Sequence, residues 1–227
     1  MNLTVIYEDI HVIVCCKPAG VATQTRRTGE PDMVSLIKNH IYRQAKDKQE
    51  PYLAVIHRLD QPVEGLLVFA KTPFAAKELN RQLQQKDFGK HYLALLCGKP
   101  ENIQGTLTDY LIKDGQTNMS RVCCADEPGA KKARLDYRLI SNTAAEHPGT
   151  CLAEITLTTG RHHQIRVQMA HMGCPLLGDT KYNPDPYLAG HKTALALCAY
   201  KLTFLHPKTK KQMLYQITPA FNAAGRK

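Results

Sequence analysis

The sequence predicts an α+β fold in which mainly antiparallel strands form a central sheet and helices are inserted between them. Many apolar segments are short or alternate with polar residues, as strands do. A few others have apolar residues at helical spacing, and turn-forming Gly and Pro residues separate the two kinds of segment. With 227 residues the chain is long enough to bury a substantial core. We expect a single domain over residues 1–227.

The first half of the chain alternates between the two kinds of element. Residues 4–16 have the apolar pattern of a strand, and Lys17-Pro18-Ala19-Gly20 follows with turn chemistry. Residues 33–45 have a partly helical spacing of apolar side chains, and residues 65–71 form an apolar strand segment. Thr72 and Pro73 are typical of a helix start, so we expect a helix that ends near Lys86.

The second half is predicted to consist mostly of strands. The strand-like segments are residues 91–97, 105–113, 133–141, 151–158, 195–205 and 212–218. Residues 114–132 are polar and contain Gly115, Pro128 and Gly129, which predicts a surface excursion between strands. After Gly160 the apolar spacing changes to that of a short helix, which should stop at Gly173.

The composition favours a polyanionic partner. Lys and Arg number 30 against 20 Asp and Glu, which gives a net charge of +10 and an isoelectric point of about 9.2. Such a charge suits a nucleic acid, although charge alone concerns association and not chemistry.

The eight cysteines have no metal-binding pattern. Four of them form the adjacent pairs Cys15-Cys16 and Cys123-Cys124, and no Cys-x-x-Cys spacing occurs. No apolar run reaches the length of a membrane span, and no apolar signal segment is seen. We therefore expect reduced thiols, no metal site, no membrane partner and residence in the cytoplasm.

Two segments have the composition of a functional site. Asp60, at the end of His57-Arg58-Leu59-Asp60, places a carboxylate flanked by cations just before the apolar strand 65–71. Farther along, residues 161–166 place five polar hydrogen-bonding side chains in six positions, between a strand segment and a helix. Junctions of this kind are common places for binding and catalytic residues.

Both segments resemble the signature stretches of the RluA-type pseudouridine synthases, which isomerise uridine in structured RNA. Four ordered blocks carry this resemblance over nearly the whole chain: Tyr7-Glu8-Asp9 with Lys17-Pro18-Ala19-Gly20, then His57-Arg58-Leu59-Asp60, then Lys90-His91-Tyr92-Leu93-Ala94, then Gly160-Arg161-His162-His163-Gln164-Ile165-Arg166. Two C-terminal segments, Pro175-Leu176-Leu177-Gly178-Asp179 with Tyr182 and Phe204-Leu205-His206-Pro207, also resemble family segments.

The resemblance implies a fold and a set of roles. The fold would be the pseudouridine synthase fold, a long bent antiparallel sheet with flanking helices and a central active-site cleft. Asp60 would be the catalytic carboxylate, Tyr92 the active-site aromatic and Arg166 the cationic partner of Asp60. We expect supporting or RNA-binding roles for the remaining polar side chains of these blocks: His57, Arg58, Arg161, His163 and Gln164.

The same resemblance implies what the protein would need for its chemistry. The isomerisation breaks the N1–C1′ bond of uridine and forms a C5–C1′ bond without net oxidation or reduction, so no cofactor is expected. Whether Asp60 attacks C1′ or removes the 2′ proton is open at this point. The partner would be rRNA or tRNA, and we expect a monomer. Because the first block begins close to Met1, we expect no separate N-terminal RNA-binding domain.

Four positions depart from the family pattern. Val63 and Glu64 stand where small hydroxyl residues are usual, His162 stands in place of threonine, and Gln168 stands in place of histidine. These departures concern the choice of substrate more than the chemistry.

Three other functions were weighed against this interpretation. An RNA-binding or ribosome-assembly protein with the same fold would have weak or no turnover. A glycosidase would use Asp60 and Glu64 as paired carboxylates. A zinc site would use His162, His163 and His171, although histidines on a helix are more often surface or core residues than ligands.

Overall fold

A computed structural model of the protein describes residues 2–25, 29–85, 88–141, 149–185 and 194–223. The chain divides into two compact units. Unit 1 contains Met1–Lys90 and Ala199–Thr218, and unit 2 contains His91–Cys198 and Pro219–Lys227.

Strands dominate the described residues, and helices are inserted between them. The strands are β1 (Thr4–Glu8), β2 (Val12–Lys17), β3 (Ala54–Val55), β4 (Glu64–Ala70), β5 (Gly89–Cys97), β6 (Gln104–Asp114), β7 (Met119–Cys123), β8 (Lys131–Ser141), β9 (Thr150–Leu157), β10 (Leu197–Leu205) and β11 (Gln212–Gln216). The helices are α1 (Met33–Gln44), α2 (Pro73–Gln85), α3 (Gln164–His171) and α4 (Ala220–Ala223).

The first two helices begin at residues whose side chains cap them. The carboxylate of Asp32 accepts a hydrogen bond from the Ser35 amide at 2.7 Å, at the start of α1. The hydroxyl of Thr72 accepts one from the Ala75 amide at 3.2 Å, and Pro73 is the first residue of α2. Both predicted helices are confirmed. Lys86, where the second was expected to end, lies outside the described residues.

Unit 1 contains a sheet packed against α2. Antiparallel pairing joins β1 to β2, β2 to β4, β3 to β4 and β10 to β11, and β10 lies beside β4. The apolar core of this unit is built from β2, β4, α2 and β10 and includes Val12, Val14, Leu66, Val68, Leu79, Leu202 and Phe204. Because β4 lies in the middle of this core, the segment that leads into β4 is fixed at the end where it joins the strand.

Unit 2 is built around antiparallel strands in the order β5-β9-β8-β6-β7. Val167 of α3 packs with Leu111 of β6 and Ala133 of β8, which holds the helix against the sheet. The predicted short helix is confirmed, and it ends before Gly173, whose φ of +84° is the left-handed conformation that favours glycine.

The prediction of one strand over residues 4–16 is wrong, because the structure has two strands joined by a tight turn. The carboxylate of Asp9 accepts hydrogen bonds from the amides of His11 and Val12, both at 2.8 Å, and the Asp9 amide donates to the Val12 carbonyl at 3.0 Å. A side chain that satisfies two backbone amides reverses the chain without Gly or Pro. The apolar residues on either side of Asp9 concealed this turn.

The polar excursion predicted for residues 114–132 is wrong in part. It contains β7, which pairs with the end of β6 through Ile112 opposite Arg121 and Asp114 opposite Met119. The strand is short and has polar residues at several positions, so its pattern was too weak to predict. Residues 104–123 therefore form a hairpin, which lies at the end of the strand order of unit 2.

Candidate active site

Asp60 lies in a segment between two strands of unit 1. It follows β3 and precedes β4, where the prediction placed it, and its carbonyl accepts a hydrogen bond from the Val63 amide at 3.0 Å. Leu59 is buried, Asp60 is half-buried and Arg58 is exposed. The segment is thus anchored through Leu59 and keeps Asp60 within partial reach of solvent.

A buried ammonium lies close to this segment. Lys17 is fully buried, and its Nζ donates to the carbonyls of Pro18, Val21 and Gln61 at 3.0, 2.6 and 3.0 Å. Burial lowers the pKa of Lys17 to about 8, while the carboxylates of Asp60 and Glu64 act in the opposite direction. The sequence identified Lys17 as part of a turn and of a family block but assigned it no role, so its charge close to Asp60 was missed.

His57 supports the segment from the side of β4. Its Nε2 accepts a hydrogen bond from the Val68 amide at 3.3 Å, and its ring lies edge-on to Phe88 with 5.1 Å between ring centroids. Burial, followed by the charge of Lys90, lowers the pKa of His57 to about 3, so the imidazole is neutral. Because Nε2 is the acceptor, the proton is on Nδ1, which is buried and has no partner among the described residues.

Arg166 lies in unit 2, in the first turn of α3, and is bound by a carboxylate. Its Nε and one terminal nitrogen donate to Asp179 at 2.8 and 2.6 Å, and the two side chains are 4% and 0% exposed. The guanidinium also lies over the ring of Tyr182, with 5.1 Å to the centroid. A two-pronged pair of this kind fixes the plane of the guanidinium.

Asp179 binds its own turn as well as the arginine. Its carboxylate accepts hydrogen bonds from the amides of Lys181 and Tyr182 at 2.9 and 3.2 Å. The sequence identified Asp179 and Tyr182 only as parts of a family segment and assigned them no role. Their contacts with Arg166 are therefore a finding of the structure.

Gln164 shapes the turn that leads into α3. Its side-chain oxygen accepts hydrogen bonds from the Arg161 amide at 3.0 Å and the Thr159 hydroxyl at 2.8 Å, while its nitrogen donates to the Arg134 carbonyl at 3.1 Å. Arg161 is exposed, and its Nε donates to the Lys132 carbonyl at 2.9 Å. Gln164 therefore fixes the backbone of this turn, whereas Arg161 lies at the surface.

His163 connects the start of α3 to Tyr182. It has a left-handed conformation with φ of 54°, its ring stacks on His162 at 3.7 Å between centroids, and its Nδ1 lies 2.7 Å from the Tyr182 hydroxyl. Burial, followed by nearby cations of which Arg166 is the first, lowers the pKa of His163 to about 3. The neutral imidazole is thus joined to the Tyr182 hydroxyl by a hydrogen bond, and the same hydroxyl oxygen accepts one from the Ser120 amide at 2.8 Å.

Tyr92 is a buried residue of β5, with 6% of its surface exposed, and its partner across the strand pair is Ile155 of β9. The predicted site residues thus fall into two sets. The set in unit 1 is His57, Arg58 and Asp60, and the set in unit 2 is Tyr92, Arg161, His163, Gln164 and Arg166.

Residues 11–171 match the sequence model of the RNA pseudouridylate synthase family, which is more than half of the chain. The chain belongs to this family. It is 36% identical over 221 residues to ribosomal large subunit pseudouridine synthase D of Nitrosomonas europaea, covering 94% of this chain and 61% of that protein. It is 31% identical over 220 residues to the dual-specificity RNA pseudouridine synthase RluA of Pasteurella multocida, covering 96% of this chain and 94% of that protein.

The family's fold is also found among solved structures. The human RNA pseudouridylate synthase domain containing 4 superposes with a TM-score of 0.77 at 20% identity, over 95% of this chain and 88% of that chain. The human RNA pseudouridylate synthase domain containing 1 superposes with a TM-score of 0.75, over 96% of this chain and 83% of that chain. These likenesses confirm the predicted α+β pseudouridine synthase fold.

The relatives differ in length from this RNA pseudouridylate synthase family member. The chain spans about three fifths of the Nitrosomonas protein, and 66% of an uncharacterized RNA pseudouridine synthase of Bacillus subtilis to which it is 33% identical. It spans nearly the whole of the Pasteurella protein.

The histidines weighed as zinc ligands make contacts with other groups. Nδ1 of His162 lies 2.9 Å from the Ser120 hydroxyl, His163 is bound to Tyr182, and Nδ1 of His171 lies 3.4 Å from a carboxylate oxygen of Asp109. No group of three or more His, Cys, Asp or Glu side chains that could hold a metal ion is found in the part of the chain that the structure describes. Among those same residues, no helix is both long and apolar enough to cross a membrane.

Proposed function

We propose that the protein is an RNA pseudouridine synthase that isomerises uridine in rRNA or tRNA, with Asp60 as its essential carboxylate and without a cofactor. One observation carries the proposal. Asp60, which by sequence resemblance corresponds to the family's aspartate, lies in a segment whose neighbouring backbone is bound on both sides and which is close to the buried ammonium of Lys17.

The proposed chemistry needs an ionised carboxylate beside the sugar. Breaking the N1–C1′ bond leaves the ribose carbon poor in electrons, much as in glycoside hydrolysis, and a carboxylate can bond to or stabilise that carbon. The alternative, removal of the 2′ proton, requires the same ionised group. Lys17 supports this state because a nearby positive charge favours the charged form of a carboxyl group. The uracil then rotates and rejoins the sugar through C5, the proton on C5 is lost and N1 gains a proton, so the composition of the substrate is unchanged.

An RNA partner fits the charge of the protein. The net charge of +10 favours phosphate contacts, and a nucleotide inside a helix or stacked loop must be extruded at a cost of roughly a few kcal/mol before its glycosidic bond can be reached. Arg58 is exposed two residues before Asp60, where its charge can contact the RNA backbone. The roles predicted from the sequence for Tyr92 and Arg166 stay predictions.

The proposal is tested by mapping pseudouridine in total RNA after incubation with purified protein. We expect new pseudouridine with the wild type, a loss of at least about a thousandfold with Asp60→Asn, and an RNA Kd within about twofold, because phosphate contacts supply most of the affinity. Asp126→Asn, at an exposed carboxylate, is the matched control and should be fully active.

Three results would contradict the proposal. Unchanged RNA with tight binding would favour an RNA-binding protein. Release of free uracil, with loss of that activity in Glu64→Gln, would favour a glycosidase. Substantial isomerisation by Asp60→Asn would remove Asp60 from the reaction.

A further inference from the structure

Residues 20–25, here called the strap, connect the start of α1 to the segment that carries Asp60. On the helix side, the amides of Met33 and Val34 donate to the carbonyls of Ala22 and Thr23 at 3.0 and 3.3 Å. The amide of Thr25 donates to the carboxylate of Asp32 at 2.6 Å. The strap is therefore fixed to an element with a capped first turn.

Thr23 binds the residue that precedes Asp60. Its hydroxyl donates to the Leu59 carbonyl at 3.0 Å and accepts from the Leu59 amide at 3.2 Å. Leu59 lies between β3 and β4 and outside both strands, so these two backbone groups are bound by a side chain instead of a neighbouring strand. Thr23 is only 4% exposed, and water has little access to replace it.

The residue that follows Asp60 is bound as well. The carbonyl of Gln61 accepts from the Gly20 amide at 2.9 Å and from Lys17 Nζ at 3.0 Å, and the Gln61 side chain donates to the Gly20 carbonyl at 3.0 Å. The strap thus holds the backbone on both sides of Asp60, and within the described part of the chain both bonds on the preceding side come from Thr23.

We propose that Thr23 is a positioning residue for the carboxylate of Asp60. This inference rests on the proposed function, because it gives Thr23 a role only if Asp60 is the reacting group. A carboxylate that reacts at C1′ or at the 2′ position must be held in one place relative to the sugar, and a displacement of about 1 Å can cost roughly a hundredfold in rate. Thr23 acts through the backbone of Leu59 and needs no contact with RNA.

Two substitutions at this position separate the hydroxyl from the shape of the side chain. Thr23→Val keeps the shape and removes both hydrogen bonds, whereas Thr23→Ser keeps the hydroxyl. We expect Thr23→Val to lower kcat by about ten- to a hundredfold, with KM and the RNA Kd changed by less than about twofold. Thr23→Ser should retain most of the wild-type kcat, and the Leu59 amide should exchange with solvent faster only in the valine variant.

Thr150→Val is the matched control, because it removes a hydroxyl from an equally buried threonine in unit 2. It should leave kcat per folded molecule unchanged. The inference is overturned if the wild type is active and Thr23→Val, although less stable, has the wild-type kcat per folded molecule. It is also overturned if the serine variant is as slow as the valine variant. A wild type that makes no pseudouridine would instead refute the proposed function, and the inference with it.

Discussion

At the scale of single residues, His163 keeps a neutral imidazole among positive charges. It is 7% exposed, and its pKa is lowered from 6.5 to about 3 by burial, then by the charges of its neighbours Arg166, His162, Lys181 and Lys113. In the unfolded chain the same side chain binds a proton below about pH 6.5. Between these two values the unfolded state binds more protons, so the free energy of unfolding falls as the pH falls.

We therefore expect His163 to make the protein less stable at pH 5 than at pH 7, by about 2 kcal/mol. The measurement is urea unfolding at both pH values for the wild type and His163→Gln. The variant also loses the hydrogen bond to Tyr182, which lowers its stability already at pH 7. The quantity to compare is therefore the change in the free energy of unfolding between pH 7 and pH 5. The wild type should lose about 2 kcal/mol more than the variant on acidification.

His171→Gln is the control for this experiment, because the side chain of His171 is 58% exposed. The His171→Gln protein should have the same free energy of unfolding as the wild type at both pH values. If His163→Gln loses as much stability on acidification as the wild type, then His163 does not carry this dependence.

Among single residues, the sequence identifies those that lie in short motifs but not the distant residues that contact them. Asp60 and Arg166 are predicted as site residues because each lies in a short motif. The groups that hold them lie elsewhere in the chain: Lys17 is 44 residues from Gln61, Thr23 is 36 residues from Leu59, and Asp179 is 13 residues from Arg166. No local pattern in the sequence connects such pairs, because only the fold brings them together.

At the scale of elements, Gly65 is the point at which β4 approaches β10. Its φ of +136° favours glycine, and an added Cβ would lie 2.5 Å from the Ala199 carbonyl oxygen and 2.6 Å from the Ala199 Cβ. Both obstacles belong to a neighbouring strand of unit 1, which cannot move without disturbing the core. Gly65→Ala should therefore lower the free energy of unfolding by about 3 kcal/mol or more.

Chemical denaturation of Gly65→Ala measures this cost. Gly115→Ala is the matched control, since an added Cβ at Gly115 meets nothing within 4 Å. It should change the stability by less than about 1 kcal/mol. A Gly65→Ala protein as stable as the control would mean that the two strands are farther apart than described here.

The hairpin of β6 and β7, which is joined to unit 2 by the pairing of β6 with β8, also contacts the hydroxyl of Tyr182. The Ser120 amide donates to the Tyr182 hydroxyl, which is also hydrogen-bonded to Nδ1 of His163. Tyr182→Phe keeps the ring and removes this acceptor, so we expect faster solvent exchange of the Ser120 amide and a stability loss of about 1–2 kcal/mol. Both are measurable by hydrogen exchange and denaturation.

Tyr110→Phe is the control within the same hairpin. Tyr110 is half-buried in β6, and no hydrogen bond of its hydroxyl is recorded among the described residues. It should leave the Ser120 amide protected. Equal protection of that amide in the wild type and Tyr182→Phe would show that the tyrosine does not hold the hairpin.

Elements were predictable where their signals are local. Thr72 with Pro73 and the glycine at 173 mark helix ends in the sequence itself, and α1, α2 and α3 agree with the prediction, although the cap of α1 at Asp32 was not part of it. The turn at Asp9 and the strand β7 were not predictable in this way. The first depends on a side chain binding backbone amides, and the second on pairing with β6.

At the scale of the whole molecule, charge is the property that the sequence predicts most directly. The excess of ten positive charges is independent of the fold, whereas the division of the chain into residues 1–90 with 199–218 and residues 91–198 with 219–227 has no mark in composition. The boundaries at 90 and 199 fall inside β5 and β10, where the apolar pattern continues. The prediction of a single domain over residues 1–227 stays a prediction.

The charge leads to a prediction for RNA binding that does not depend on catalysis. If about five phosphates are contacted, log K falls with log salt at a slope of about −4, so the Kd should weaken by about 250-fold between 50 and 200 mM salt. Asp60→Asn, in which no turnover interferes, should show the same slope as the wild type, because the substitution removes no phosphate contact. Filter binding of the two proteins to a substrate RNA over this salt range makes the measurement. A Kd that hardly changes with salt would mean that affinity comes from contacts with bases and not from phosphates, and that the net charge is not what brings RNA to this protein.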